Sequence, residues 1–295
     1  MSGAAAFAAA PCSELLAPLR DHLAGSLDCD GRGARSDDLD LFDACAAFVR
    51  LRPGLVVQGR VAMSVEASLA LRPGLTCSRR YIVGLPVAAL GRSPWSDLEA
   101  WLDAAAAPAD VRACLERLRD ERELPTAIHL GFERAADATA NRRFYVERRP
   151  LHAMLGPEGG PPTLAMVGAQ WPVAGGPTRW RRYHEGRRAT APVLPGELAR
   201  ALERHPGAVA GYVWQRADLG PDASATDTYW HFRGWALADA VDALAALAER
   251  HCAMGEACAA ALGRVPAGAH FKAVGLGQDS RGPRLKVYQA PGRVA

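Results

Sequence analysis

The chain has 295 residues, 49% of them hydrophobic and 23% charged, which is ordinary usage for a protein with a packed core. A net charge of +3 is too small to imply a nucleic-acid or membrane partner, and no run approaches the ~20 apolar residues of a membrane helix. The seven cysteines, at 12, 29, 45, 77, 114, 252 and 258, form no CxxC pair and no zinc-spaced Cys/His set, a pattern that suits a reducing cytoplasm and thiols used as small apolar fillers.

The first ten residues are apolar but lack a basic leader, and Pro11 interrupts them, so they read as a flexible tail and not a signal peptide. Helical patterns follow over residues 13–24 and 38–49, the second with Ser36, Asp37 and Asp38 at its start. A hairpin comes next: strand 61–70, turn Arg72-Pro73-Gly74, strand 76–84. Helices over 96–106 and 109–121 then lead to a second hairpin, 126–133 and 142–148, turning through Asp137. A third, 163–170 and 179–185, turns at Gly175-Gly176-Pro177 with only a broken helix before it. A helix over 195–204 precedes the fourth, 209–216 and 228–233, whose turn runs through Gly220-Pro221-Asp222. Helices over 235–250 and 254–262 precede the last, 271–278 and 284–289, with Asp279 to Pro283 as its turn. The unit is ααββ, repeated with some decay.

Alternation inside the hairpins assigns the faces. Ile128, Leu130, Phe132, Phe144 and Val146 share one side, against His129, Gly131, Glu133, Arg143, Tyr145 and Glu147 on the other. Ten antiparallel strands with helices on the apolar side would expose two edges unless they closed. The expected fold is therefore α/β, an antiparallel ten-stranded β-barrel ringed by helices around a polar lumen, with 1–295 as one domain.

Four second strands carry a basic residue two positions before a tyrosine: Arg79/Tyr81, Arg143/Tyr145, Arg181/Tyr183 and Lys286/Tyr288. The fourth hairpin carries Tyr229, His231 and Arg233 instead. Spacing of two keeps each pair on one face, so a closed sheet aims a ring of cations and phenols at one centre. Such a ring suits a polyphosphate with a reactive apolar tail: cations hold phosphate oxygens, while tyrosine faces favour a developing carbocation. Alternation with Tyr81 selects Arg79 over Arg80 as the inward residue. Tyr212 and Trp214 share a face in the fourth hairpin and, if inward, would shorten the space for a donor tail. No Walker loop, GxGxxG, GxSxG or HExxH occurs, and Asp37-Asp38-Leu39-Asp40 reads as a helix start and not as a diphosphate-binding DDxxD.

Three segments carry a family resemblance. Val65-Glu-Ala-Ser68 with Ser78-Arg-Arg-Tyr-Ile-Val-Gly84 resembles the first hairpin of the ABBA-type prenyltransferases that modify cyanobactins and related ribosomal peptides. His129-Leu-Gly-Phe-Glu-Arg with Arg142-Arg-Phe-Tyr-Val-Glu147 is similar to their second hairpin, and Gly275-Leu-Gly-Gln-Asp with Pro283-Arg-Leu-Lys-Val-Tyr288 to the closing hairpin of ABBA enzymes generally. The resemblance covers about residues 40–291. It implies transfer of an isoprenyl group, with dimethylallyl preferred, from an allylic diphosphate to a peptide side chain. Magnesium would be bound mainly through the diphosphate, with Glu133, Glu147 and Asp218 as candidate contacts. It further implies Glu66 as general base or acceptor anchor, and Arg79, Arg143, Arg181, Arg233, Lys272 and Lys286 as diphosphate ligands. Tyr81, Tyr145, Tyr183, Tyr229 and Tyr288 would shield the cation, and His129, Glu147, Tyr212, Trp214 and His231 would line the tail and acceptor pocket. Where the family has Ser-Cys-Lys this chain has Ser68-Leu69-Ala70, so one first-strand phosphate contact is missing, with Arg60 or Lys272 as substitutes.

The acceptor stays open at this point among Trp, Tyr, Arg, His and a peptide terminus. Two other readings stand beside the peptide enzyme: prenylation of a small phenol or indole, and a non-catalytic barrel binding a phosphorylated ligand or single-stranded RNA. The near-neutral charge weighs against RNA. The expected partners are a donor diphosphate and a peptide acceptor, without nucleic acid or membrane, the chain being a cytoplasmic monomer or weak dimer.

Overall fold

The computed structural model describes residues 12–28, 33–57, 60–75, 79–90, 93–120, 122, 124–134, 138–147, 163–186, 193–219 and 226–292. Helices α1 (Cys12–Leu27) and α2 (Asp40–Arg50) come first, then a two-residue strand pair, β1 (Val56–Val57) with β2 (Arg60–Val61). Five hairpins follow: β3 (Ser64–Leu71) and β4 (Arg79–Pro86), β5 (Ala127–Arg134) and β6 (Ala140–Glu147), β7 (Thr163–Pro172) and β8 (Arg179–Gly186), β9 (Val209–Leu219) and β10 (Thr226–Ala236), β11 (His270–Asp279) and β12 (Gly282–Ala290). Helices α3 (Pro94–Ala104) and α4 (Ala109–Asp120) precede the second hairpin, α5 (Gly196–Glu203) the fourth, and α6 (Leu237–Cys252) and α7 (Gly255–Leu262) the fifth. Every pairing from β3 to β12 is antiparallel, and β12 returns to β3, so the ten strands close.

Closure follows from what each strand has to bury. On β3, Val65, Ala67, Leu69 and Leu71 are buried outward under the helices, while Glu66, Ser68 and Ala70 point in. The same period-two split runs round the sheet, and it leaves two apolar clusters between sheet and helices. One packs α1 to α4 against β3–β6, with Trp101 edge-on to Phe48 at 5.0 Å. The other packs α5 to α7 against β10–β12 around Phe232, Trp235 and Phe271, the two phenylalanine rings stacked at 4.8 Å. The last hairpin turns on Gly282, whose φ of +99° is open to glycine and strained for other residues.

Asp37 and Asp38 lie in a 3-10 turn over Ser36–Asp38, and Arg134 of β5 takes both: Nε to Asp38 Oδ1 at 2.5 Å and Nη2 to Asp37 Oδ2 at 2.7 Å. The acidic run is thus a latch between the α2 entry and the barrel wall. Among the described residues no helix is long and apolar enough to cross a membrane, and the five described cysteines are free thiols.

Candidate functional site

Inward-facing side chains enclose a cavity of about 230 Å³. Four tyrosines on four strands form a continuous belt round it: Tyr145 to Tyr183 at 6.0 Å, Tyr183 to Tyr229 at 6.1 Å, and Tyr229 to Tyr288 at 5.9 Å between ring centroids. Met166 and Ile82 complete the apolar part. Two of the rings pack against glycines paired with them on neighbouring strands. A Cβ at Gly168 would sit 2.7 Å from the Tyr145 ring, and one at Gly275 would sit 2.6 Å from Tyr229, so only a residue without Cβ leaves them room.

Below the belt the lumen is a floor of cations around one carboxylate. Asp227, 3% exposed, accepts from Arg284 Nε at 2.7 Å, from Lys286 Nζ and Arg216 Nη1 at 2.8 Å, and from the Tyr229 hydroxyl at 2.7 Å. Lys286 Nζ also donates to Tyr229 Oη at 2.9 Å. Burial alone would neutralise Asp227, but Lys286, Arg216 and Arg284 outweigh it and hold the carboxyl well below the usual carboxylate range. Burial and the Asp227 charge push the Tyr229 phenol upward, so it remains a donor. Arg284 continues to Asp279 at 2.6 Å, which is gripped in turn by both terminal nitrogens of Arg72 at 2.6 Å each.

A second group sits across the floor. Glu133 accepts a short hydrogen bond from Arg143 Nη2 and lies 3.7 Å from Arg80 Nε. Arg143 Nη1 donates to Tyr145 Oη at 3.1 Å. Burial would raise the Tyr145 phenol, yet the charges of Arg143, Arg80 and Arg181 overcome it and bring the group down to about 8. Arg80 also lies over the Tyr288 ring, 5.9 Å from its centroid. Among these arginines, Arg80 Nε, Arg143 Nε and Arg284 Nη2 are buried donors with no acceptor among the described residues. Buried N–H groups on cations are costly to leave unpaired; of the three arginines, Arg80 lines the cavity itself, while Arg143 and Arg284 bond to Tyr145 and Asp227 behind it.

Above the belt the lining changes. Glu66, His129, Glu147 and His231 line the cavity there, with His129 Nε2 3.3 Å from Glu147 Oε2. Burial, with some help from Lys272, drives the His231 imidazole down to about 3, so it is neutral. Arg233 and Lys272 form a neck that leads into a larger cleft of about 1130 Å³.

The structure therefore redistributes the residues singled out from sequence. Glu66, His129, Tyr145, Glu147, Tyr183, Tyr229, His231 and Tyr288 are brought together in the cavity wall. Arg143 and Lys286 belong to the floor, and Arg181, opposite Gly168, acts on the same tyrosines. Arg233 and Lys272 lie at the other end. Tyr81 faces outward: it is buried in the core with its hydroxyl on the Phe42 backbone N–H at 3.1 Å. Its strand neighbour Arg80 is the inward cation, because the alternation that sends Tyr81 out sends Arg80 in. The side chains of Arg79, Tyr212, Trp214 and Asp218 lie outside the described residues. Sequence reasoning missed Asp227, Arg216 and Arg284, and it weighed Arg80 but favoured Arg79. The signal for Asp227 and Arg284 was the same spacing of two, carried one step further back from Tyr229 and Lys286. The lysine absent from β3 has a neighbour in compensation, since Ala70 pairs directly with Lys286.

The donor set among the described residues does not fit a protein-held magnesium ion. Among the described residues no three His, Cys, Asp or Glu side chains converge. Glu133 is taken by arginines and Glu147 by His129. The charge that a diphosphate would need is supplied by arginine and lysine.

No family model matches the sequence, and no curated protein matches it significantly. Solved structures do match. The 6-dimethylallyltryptophan synthase from Micromonospora olivasterospora, in complex with DMASPP and Trp, aligns over 92% of this chain and 97% of its own, with a TM-score of 0.58 and 16% identity. A second structure of a 6-dimethylallyl tryptophan synthase covers 92% and 95%, with a TM-score of 0.53 and 15% identity. NotF in complex with brevianamide F and DMSPP covers 97% and 96%, with a TM-score of 0.54 and 11% identity. None of the three is named for a cyanobactin or another ribosomal peptide, so the likeness reaches the barrel and not the peptide subgroup. The chain has the closed, helix-ringed ten-stranded fold of the ABBA prenyltransferases.

Proposed function

We propose that this chain transfers a dimethylallyl group from its diphosphate to a ring carbon of a small aromatic acceptor, an indole being the favoured class. The observation that carries the reading is a belt of four tyrosine rings with buried arginine N–H donors, on Arg80, Arg143 and Arg284, that have no acceptor among the described residues. A small aromatic acceptor is preferred over a peptide side chain because the structural neighbours are named for tryptophan or were solved with Trp or brevianamide F. A cavity of about 230 Å³ favours a five-carbon donor over a ten-carbon one.

The diphosphate rests on Arg80, Arg143, Arg181 and Lys286. When the allylic C–O bond breaks, its electron pair goes to the diphosphate oxygen, where fixed cations in a dry site meet the new charge without reorganising. The allylic cation lies among Tyr145, Tyr183, Tyr229 and Tyr288, each ring contributing roughly 0.5–2 kcal/mol as a cation–π contact, and the same rings keep water from quenching it. A ring carbon of the acceptor then forms the new C–C bond. Glu66 takes the proton that this carbon loses, restoring aromaticity. A magnesium ion travelling with the diphosphate would add charge neutralisation but is not essential to this scheme. Addition of EDTA is therefore expected to leave most of the rate.

The test is turnover of dimethylallyl diphosphate with tryptophan, indole, tyrosine and short peptides, read by mass spectrometry. Gain of one isoprene unit on the indoles is expected. Transfer to internal peptide residues but to no free indole would reverse the acceptor assignment, and no transfer to anything would remove the catalytic one.

A further inference from the structure

The lumen is too small for the whole reaction. Sites for one small molecule usually offer roughly 300–1,000 Å³, whereas this cavity has about 230 Å³ and has to hold a donor and an acceptor ring together. The adjoining cleft is about 1130 Å³, and the two share Phe232, Arg233 and Lys272. It runs between α1, at Pro18 and Asp21, and the loop before β11, at Pro266 and Gly268. Its fixed charges are Arg233 and Lys272 against one carboxylate, Asp21. Lys272 makes no ion pair with a carboxylate among the described residues, and it reaches the lining of both spaces. Its inner neighbour His231 is neutral and does not repel it. Two imidazoles line the cleft, His22 and His270; His22 is lowered by burial and held to Gln289 Oε1 at 2.7 Å.

From this we infer that the cleft is an acceptor subsite, read at its neck by Lys272 with Arg233 beside it. It takes acceptors whose aromatic ring enters the lumen on a stem ending in a carboxylate outside. The inference rests on the transfer reading above and narrows its substrate class: the acceptor is an aryl compound with an anionic, peptide-like stem and not a bare ring. An ammonium meeting a carboxylate at a partly desolvated neck forms a charge-assisted hydrogen bond, and an amide in the same place does not.

The test separates binding from turnover. With inorganic pyrophosphate present to occupy the floor, the dipeptide Trp-Gly and its C-terminal amide are titrated calorimetrically into the wild-type protein, Lys272→Met, Lys272→Arg and Lys272→Glu. The free carboxylate is expected to bind about tenfold tighter than the amide in wild type, the lower end for a hydrogen bond between charged groups. Lys272→Arg keeps that ratio, Lys272→Met brings it near one, and Lys272→Glu inverts it. Equal affinities in the wild type, a ratio insensitive to Lys272→Met and Lys272→Glu, or no binding of either dipeptide overturns the subsite. Carboxylate preference without turnover on any acceptor keeps the subsite and removes the transfer reading, whereas turnover with equal affinities does the reverse.

Discussion

Along β10 the chain passes from Asp227, where four donors crowd one carboxylate, to Arg233, exposed at the neck. Six residues of strand separate them, about 20 Å at roughly 3.3 Å per residue. Both ends are basic, but they solve different problems. At the floor Arg143, Arg216, Arg284 and Lys286 are each held by a carboxylate before any ligand arrives, which fixes their geometry. At the neck Lys272 is held by no carboxylate among the described residues, and it stays adjustable. A pre-arranged floor suits charge that develops in a transition state, and an adjustable neck suits a ligand that has to pass. The tyrosine belt is the boundary between the two.

The comparison breaks first at Asp227. Asp227→Asn leaves Arg216, Arg284 and Lys286 buried against one another, a loss of roughly 3–5 kcal/mol in urea unfolding. Pyrophosphate should recover more stability in this variant than in the parent, because it replaces the missing charge. A result within 1 kcal/mol of wild type by the same measurement would mean that water already carries the floor. The upper part breaks at Glu66: Glu66→Gln is expected to lower kcat roughly 10²–10⁴-fold with little change in the KM for donor, since the phosphates bind elsewhere. A rise in donor KM with kcat intact would move Glu66 into the binding floor.

Most of the barrel was legible because each strand has a packed outer face. The helix and hairpin limits read from turns and alternation lie within a few residues of those observed, for example 126–133 against Ala127–Arg134. The site was legible only in part, and the first hairpin explains why. Arg79, Arg80 and Tyr81 stand together, and the repeated motif argued that tyrosine goes inward. In this hairpin α2 offers the Phe42 N–H to the Tyr81 hydroxyl, and that outer partner decides the register of faces. A tyrosine has both an apolar body and a polar tip, so its face depends on which side holds a partner. The spacing from Tyr229 marks Asp227 as inward, but a lone acid does not announce Arg216 directly opposite it on β9 or Arg284 and Lys286 arriving from β12.

Two finer tests act on the belt itself. Gly275→Ala puts a methyl group against the Tyr229 ring and is expected to cost roughly 1–3 kcal/mol of stability, seen as a lower Tm, and to slow transfer as the ring tilts. An unchanged Tm would mean that the ring has room to retreat. The smallest effect is spectroscopic. Tyr145 should ionise near pH 8, below its ordinary 10.0, giving a phenolate absorbance step that Tyr145→Phe removes. Below that pH the phenol is neutral; above it the phenolate competes with phosphate for the same arginines. Donor KM should therefore rise as pH passes 8, and bound pyrophosphate should push the step upward by linkage. A step that pyrophosphate leaves in place would separate Tyr145 from the anion floor.

The pairing of β12 with β3, Leu285 to Leu71 through Gln289 to Ala67, joins strands more than 200 positions apart in the chain. Until that seam forms, Lys286 and Tyr288 are not beside Ala70 and Ser68, and the sheet has two open edges. The enclosed lumen is thus a product of barrel closure and cannot be matured one hairpin at a time. Contacts of such long sequence separation slow folding. During synthesis the earlier hairpins must wait with an unpaired β3 edge, a stage at which association with other chains competes with closure.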